Sequence, residues 1–187
     1  MKTINLGKFD IESGVVRVSD PCYDKSTWCA GTISNVKRGV WVAKAVKSDD
    51  NRVSRLVAIH KDHLGEMANW KEEKIDVGVD SGQCGIYDDK YFKDDSVFTE
   101  RSKRDRRYSE AICDDEPWYS WNCDITLAEP CAGVIPFGCV SSSGYGDGSY
   151  VCRTASHGKK VIAIELDYLT ELDEIDEEDD IEDEDQE

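Results

Sequence analysis

The stretch Val140–Cys152, VSSSGYGDGSYVC, gathers groups that do chemistry. One carboxylate, Asp147, and two phenols, Tyr145 and Tyr150, sit among three glycines. A phosphate loop needs a closing Lys-Ser or Lys-Thr and a helix after it; here the next element reads as a strand. A calcium loop needs several alternating oxygen ligands and a closing Glu, and only Asp147 is present. What remains is a glycine-rich loop that can close over a small polar ligand.

The other chemical groups are scattered. The histidines are His60, His63 and His157. In HKDH, His60 and His63 share a face only if both are helical, and a strand-to-helix passage is expected there. No zincin motif and no Gly-x-Ser-x-Gly elbow occurs. A Ser143–His60–Asp80 triad has the residue types, but a triad is defined by geometry. The 8 cysteines contain no Cys-x-x-Cys pair and match no zinc spacing. They read as small buried apolar residues, with metal binding or a reactive thiol as the rival readings.

The elements that must position these groups are mostly strands. Apolar and β-branched runs predict strands at Thr3–Phe9, Val15–Ser19, Gly39–Lys47, Val53–His60 and Ile75–Val79. More are expected at Gly85–Tyr87, Val134–Val140, Ser149–Thr154 and Val161–Leu166. Helices are expected at Lys61–Lys71 and Asp115–Leu127, with a short helical turn at Asp89–Asp94. In the second helix Pro117 suits the first turn, and Trp118, Trp121 and Ile125 face the sheet. The fold class expected is therefore α+β and β-rich: an antiparallel sheet folded as a sandwich or half-barrel, with two or three short helices. Three Ser-Gly pairs, Ser13-Gly14, Ser81-Gly82 and Ser143-Gly144, read as hairpin turns.

Charge divides the chain. From Asp167 to the end there are 14 acidic residues and no Lys or Arg, leaving 26 acidic against 23 basic residues before it. A single β-rich domain over 1–167 and an acidic, disordered tail over 168–187 are expected. The basic run Arg101–Arg107 reads first as a solvated face, and second as an anion site or a dock for the tail. The acidity counts against direct nucleic-acid binding, which needs a basic patch. With no apolar run of membrane length and no secretory leader read at the N-terminus, a cytoplasmic location is expected.

The segments SGVVRVSDPCY, KRGVWVAKAV, RVSRLVAIH, DVGVDSGQCGIYD and GVIPFGCVSSSGYGDGSYVC, in this order over roughly residues 10–165, resemble the domain-of-unknown-function 4241 family. That family has bacterial and bacteriophage members, and the phage branch is the more similar. The resemblance implies no activity. It does imply that Asp20-Pro21, Val79-Asp80-Ser81-Gly82, Asp88 and Gly146-Asp147-Gly148 are its signature positions.

Each of those positions sets an aspartate beside a turn-forming residue. If Asp20, Asp80, Asp88 and Asp147 converge, they form an acidic pocket able to hold a divalent cation or to act as acid and base. The other reading is that each accepts amide hydrogen bonds in its own turn. Candidate ligand contacts are Asp20, Asp80, Ser81, Asp88, Tyr145, Asp147 and Tyr150, with Trp41 and Tyr87 as further aromatic walls. Any metal is expected at Asp20, Asp80 and Asp147; no other cofactor is expected. The function expected is a non-enzymatic binding protein for a host or bacterial protein or a small polar ligand such as a nucleotide, acting in counter-defence if phage-encoded. The alternatives are a metal-assisted hydrolase built on the aspartates, and a DNA mimic acting through the tail.

Overall fold

The computed structural model describes residues 1–66, 69–97 and 116–169. Among these, twelve strands form two antiparallel sheets. The first sheet runs β1 (Lys2–Ile11), β4 (Gly39–Lys47), β5 (Val53–His60), β12 (Lys160–Asp167), β11 (Gly148–His157) and β6 (Lys71–Glu72). A further short strand, β7 (Val77–Val79), pairs with β11. The second sheet runs β3 (Gly31–Ile33), β2 (Val16–Ser19), β8 (Gln83–Asp88), β10 (Gly138–Ser142) and β9 (Ala132–Ile135).

Alternation along the strands assigns each face. In β8, Cys84 and Ile86 enter a core shared by both sheets, together with Ile11, Val18, Trp41, Leu56, Cys139, Cys152 and Ile164. The opposite face of β8 carries Tyr87, which joins Phe92, Trp118, Trp121, Ile125, Ile135 and Val140 in a second cluster. The helix α1 (Pro117–Leu127) covers that face, with Pro117 in its first turn and Trp118, Trp121 and Ile125 buried, as its spacing predicts. The Tyr87 hydroxyl donates to Asn122 Oδ1 at 3.0 Å, so the buried phenol has a partner. Trp41 and Tyr87 are thus core residues, not walls of a ligand site.

Two local expectations are corrected. Among the described residues of the predicted helix Lys61–Lys71, the one helical turn is the 3₁₀ turn Lys61–His63, and β6 begins at its far end. Gly65 at φ 89 interrupts the helical path, and Met67 and Ala68, which with Leu64 and Trp70 would supply the apolar face, lie outside the described residues. The predicted strand Val134–Val140 is a hairpin, because Pro136-Phe137 forms a two-residue loop that pairs Gly138 with Ile135. Phe137 takes φ 62 at the position after Pro, as in a type II turn. The helical turn expected near Asp89 is present as the 3₁₀ turn Asp89–Tyr91, so α1 is the one α-helix among the described residues.

Packing continues through Tyr168, which is buried and hydrogen-bonded to Ser141 at 3.1 Å, and Leu169 lies against the same core. The rest of the acidic segment and the basic run Arg101–Arg107 lie outside the described residues. No helix among the described residues is long and apolar enough to cross a membrane.

Candidate functional site

The three Ser-Gly turns are not hairpins. Ser13-Gly14 joins β1 to β2, Ser81-Gly82 joins β7 to β8, and Ser143-Gly144 joins β10 to β11. Each carries the chain from one sheet to the other. All three glycines have positive φ, between 51 and 78 degrees, so the sharp corner needs a residue without a Cβ.

The aspartates latch these corners across the chain. Asp20 is fully buried, and its Oδ2 accepts the amides of Asp80 at 2.9 Å and Ser81 at 2.7 Å. Its Oδ1 accepts the Ser81 hydroxyl at 2.7 Å and its own-turn amide of Cys22 at 2.8 Å. Asp88 is equally buried and accepts Glu12 and Ser13 amides at 2.6 and 2.8 Å on one oxygen, and Lys90 at 3.0 Å on the other. Asp147 is exposed and accepts the Gly82 amide at 2.9 Å, while Ser143 donates its amide to Gly82 O at 3.0 Å. The second and third corners are therefore one hydrogen-bonded unit with Asp20 and Asp147 at its two ends. Asp88 belongs to the first corner instead. The exposed Asp80 offers its amide to Asp20, and its carboxylate raises the Tyr23 phenol, a group that burial already holds up.

The phenols of the glycine-rich loop separate. Tyr150 is buried, its hydroxyl lies 2.7 Å from Gly146 O and 3.0 Å from Ser143 O, and burial raises its pKa. Tyr145 is 67% exposed and stacks under the Arg52 guanidinium at 4.7 Å. The Ser143 hydroxyl bonds Gly146 O, and His60 bonds Arg38 O, so Ser143, His60 and Asp80 are engaged apart and do not form a triad.

The seven described cysteines are free, and Cys29, Cys84, Cys139 and Cys152 are buried. Cys113 lies outside the described residues. Burial first, then the hydrogen bond to Asp20, pushes the Cys22 thiol up to about 12, so it carries almost no thiolate at neutral pH.

One gathering of ligating groups escaped the spacing argument. All three histidines meet at one end of the first sheet. His60 ends β5, the 3₁₀ turn brings His63 round to 5.8 Å from it, and His157 lies 5.1 Å from His63 between ring centres. The pairing explains this: β5 lies antiparallel to β12, so the end of β5 sits beside the β11–β12 hairpin that carries His157. His63 Nδ1 is 2.8 Å from Glu66 Oε1, and His157 Nδ1 is 3.6 Å from Glu66 Oε2. The hydrogen bond with His63 holds the Glu66 carboxyl below its usual range. Among the described residues, His63, Glu66 and His157 are the one group of three or more His, Cys, Asp or Glu donors lying within 4.8 Å of one another. Asp20, Asp80 and Asp147 do not form such a group.

A cleft lies elsewhere again. It has a volume of about 570 Å³ and opens between the outer strands of the two sheets, β1 and β9, with the end of α1 as its third wall. Ile4, Leu6, Ile125 and Val134 supply apolar lining; Asn5, Asp124 and Glu129 supply polar groups. A bulge between Asn5 and Gly7 bends β1 over β9. Gly7, at φ 125, sits so close that a Cβ there would lie 3.2 Å from Val134. Glu129 takes hydrogen bonds from Lys47 Nζ at 3.4 Å and Asn51 Nδ2 at 3.3 Å. None of the candidate residues read from the sequence lines this cleft.

Comparison with family models, with curated proteins and with solved structures gave no match. Function is therefore read from geometry.

Proposed function

We propose that this chain is a non-enzymatic binding protein that takes a small ligand in the cleft between β1, β9 and α1. In this reading the two sheets pack as a sandwich, and the cleft is its open side. The observation that carries the reading is the cleft itself. Its volume of about 570 Å³ falls in the range of small-molecule pockets, and its lining is apolar with a few placed polar groups. Asp124 at the lining, with Glu129 whose charge Lys47 in part offsets, favours a ligand that donates hydrogen bonds or carries positive charge over a phosphate. The occupant proposed is therefore an amine with an apolar portion in preference to a nucleotide.

The buried aspartates support a binding role over a hydrolytic one. Asp20 and Asp88 accept backbone amides with both carboxylate oxygens, which leaves them poorly placed to act as general base or metal ligand. Titration calorimetry against aliphatic amines and nucleoside monophosphates tests the proposal. Amines should bind, and Ala128→Trp, at an exposed cleft position, should weaken them by at least about tenfold without unfolding the protein. Binding of nucleotides alone, or amine binding indifferent to Ala128→Trp, would reject it.

A further inference from the structure

We propose that His63, Glu66 and His157 form a site for one divalent transition-metal ion, zinc being the reference case. The donor atoms lie within 4.8 Å of one another, with separations of 2.8 and 3.6 Å from Glu66 to the two rings. A tetrahedral zinc ion with ligands at about 2.0–2.2 Å holds its donors roughly 3.3–3.5 Å apart, so small side-chain rotations complete the set. Two imidazoles and one carboxylate suit zinc, nickel or copper, and not magnesium or calcium, which take oxygen ligands.

The surroundings have the character of a built site. His63 is 9% exposed at its side chain, whereas Glu66 and His157 are 46% and 69% exposed. One ligand is thus anchored in the protein and two reach it from the surface, so a fourth position faces water. The His60 ring lies edge-on to His63 at 5.8 Å and limits its rotation. Lys37 Nζ lies 2.8 Å from His63 Nε2. The backbone amide of Lys37 donates to Val161 O at 2.9 Å, which ties this segment to the same sheet end.

Lys37 sets the sign of a second effect. An ammonium only donates, so it takes the Nε2 lone pair and leaves the ring proton on Nδ1, facing Glu66. A metal ion at Nδ1 moves that proton to Nε2 and turns Lys37 to its other partner, Asp62, at 3.3 Å. Lys37 therefore opposes loading, and Lys37→Gln should bind metal more tightly.

The test reads the histidine rings, since the protein has only 3 and since acidic and thiol groups elsewhere also take up metal. Zinc chloride is titrated into the full chain while histidine ring resonances are followed by NMR. The signals of His63 and His157 should shift together and saturate at one equivalent, and magnesium chloride should not move them. His157→Ala and Glu66→Gln, both at exposed positions, should weaken the effect on His63 by about tenfold or more, as loss of a ligand does. Zinc that leaves both rings unmoved overturns the proposal, as does an undiminished shift of His63 in His157→Ala. Neither readout depends on the cleft between β1 and β9.

Discussion

Asp20 and the His63–Glu66–His157 cluster offer the same kind of lone pairs in opposite settings. Asp20 is 0% exposed and surrounded by four donors, three of them backbone amides. Glu66 and His157 are open to water and bonded mainly to each other and to His63. A buried carboxylate ringed by amides is a structural acceptor: its charge holds two corners of the chain together. A partly buried imidazole beside an exposed carboxylate keeps donor capacity that an incoming ion can use. Ligating residue types alone do not distinguish the two settings; occupancy of their lone pairs does.

That contrast is broken or sharpened most strongly at Asp20. Asp20→Ala removes a charged acceptor from buried amides of Cys22, Asp80 and Ser81 and should lower stability by about 3–5 kcal/mol, given roughly 1.5–3 kcal/mol per charged hydrogen bond and incomplete additivity. Urea midpoints measure it; a loss below about 1 kcal/mol would show that the corner holds without its latch. Next in size is the metal effect. Zinc at about 100 times its Kd should raise stability by about 2.7 kcal/mol, and His157→Ala should remove that gain. Thermal unfolding at several zinc concentrations reads it directly.

Asp147 should give less than either. It is exposed and accepts one amide, that of Gly82, so Asp147→Ala should cost about 0.5–1.5 kcal/mol. If Asp147→Ala costs as much as Asp20→Ala, burial is not what separates the two latches. The shallowest effect is a pH slope from His60. Burial holds its pKa below the usual 6.5, and its neutral ring already donates to Arg38 O and accepts the Asp62 amide. The unfolded chain then binds a proton at a higher pH than the folded one. His60 thus contributes stability that is complete above pH 6.5 and is lost as pH falls through the window below it. Denaturant midpoints across that window should fall less steeply in His60→Gln.

Much of the fold is legible in the sequence because strands and α1 are local patterns. The runs at 39–47 and 53–60 become strands with those bounds, and Pro117 marks the start of α1. The glycine positions of the Ser-Gly corners are equally local, since positive φ selects glycine wherever the corner leads. What each corner joins is not local. A hairpin and a passage between sheets use the same turn residues, and strand pairing elsewhere decides between them. β3 and β6 are too short to carry a period, and both escaped the pattern.

The candidate sites divide in the same way. Asp20, Asp88 and Asp147 stand out in the sequence as turn-side carboxylates, and they do serve turns, though turns up to 76 residues away in the chain. The meeting of His63 with His157 depends on β5 lying antiparallel to β12, and the cleft depends on β1 and β9 ending up as the outer strands of separate sheets. The sequence by itself determined much of the strand content and the positions of the turn glycines, and it marked the turn-side aspartates without separating the acceptors Asp20, Asp88 and Asp147 from Asp80, because sterics and amide hydrogen bonding act over a few residues. Only the tertiary structure decided which corners share a latch, which histidines share a site and where a cavity stays open, because those follow from the long-range register of one sheet against the other.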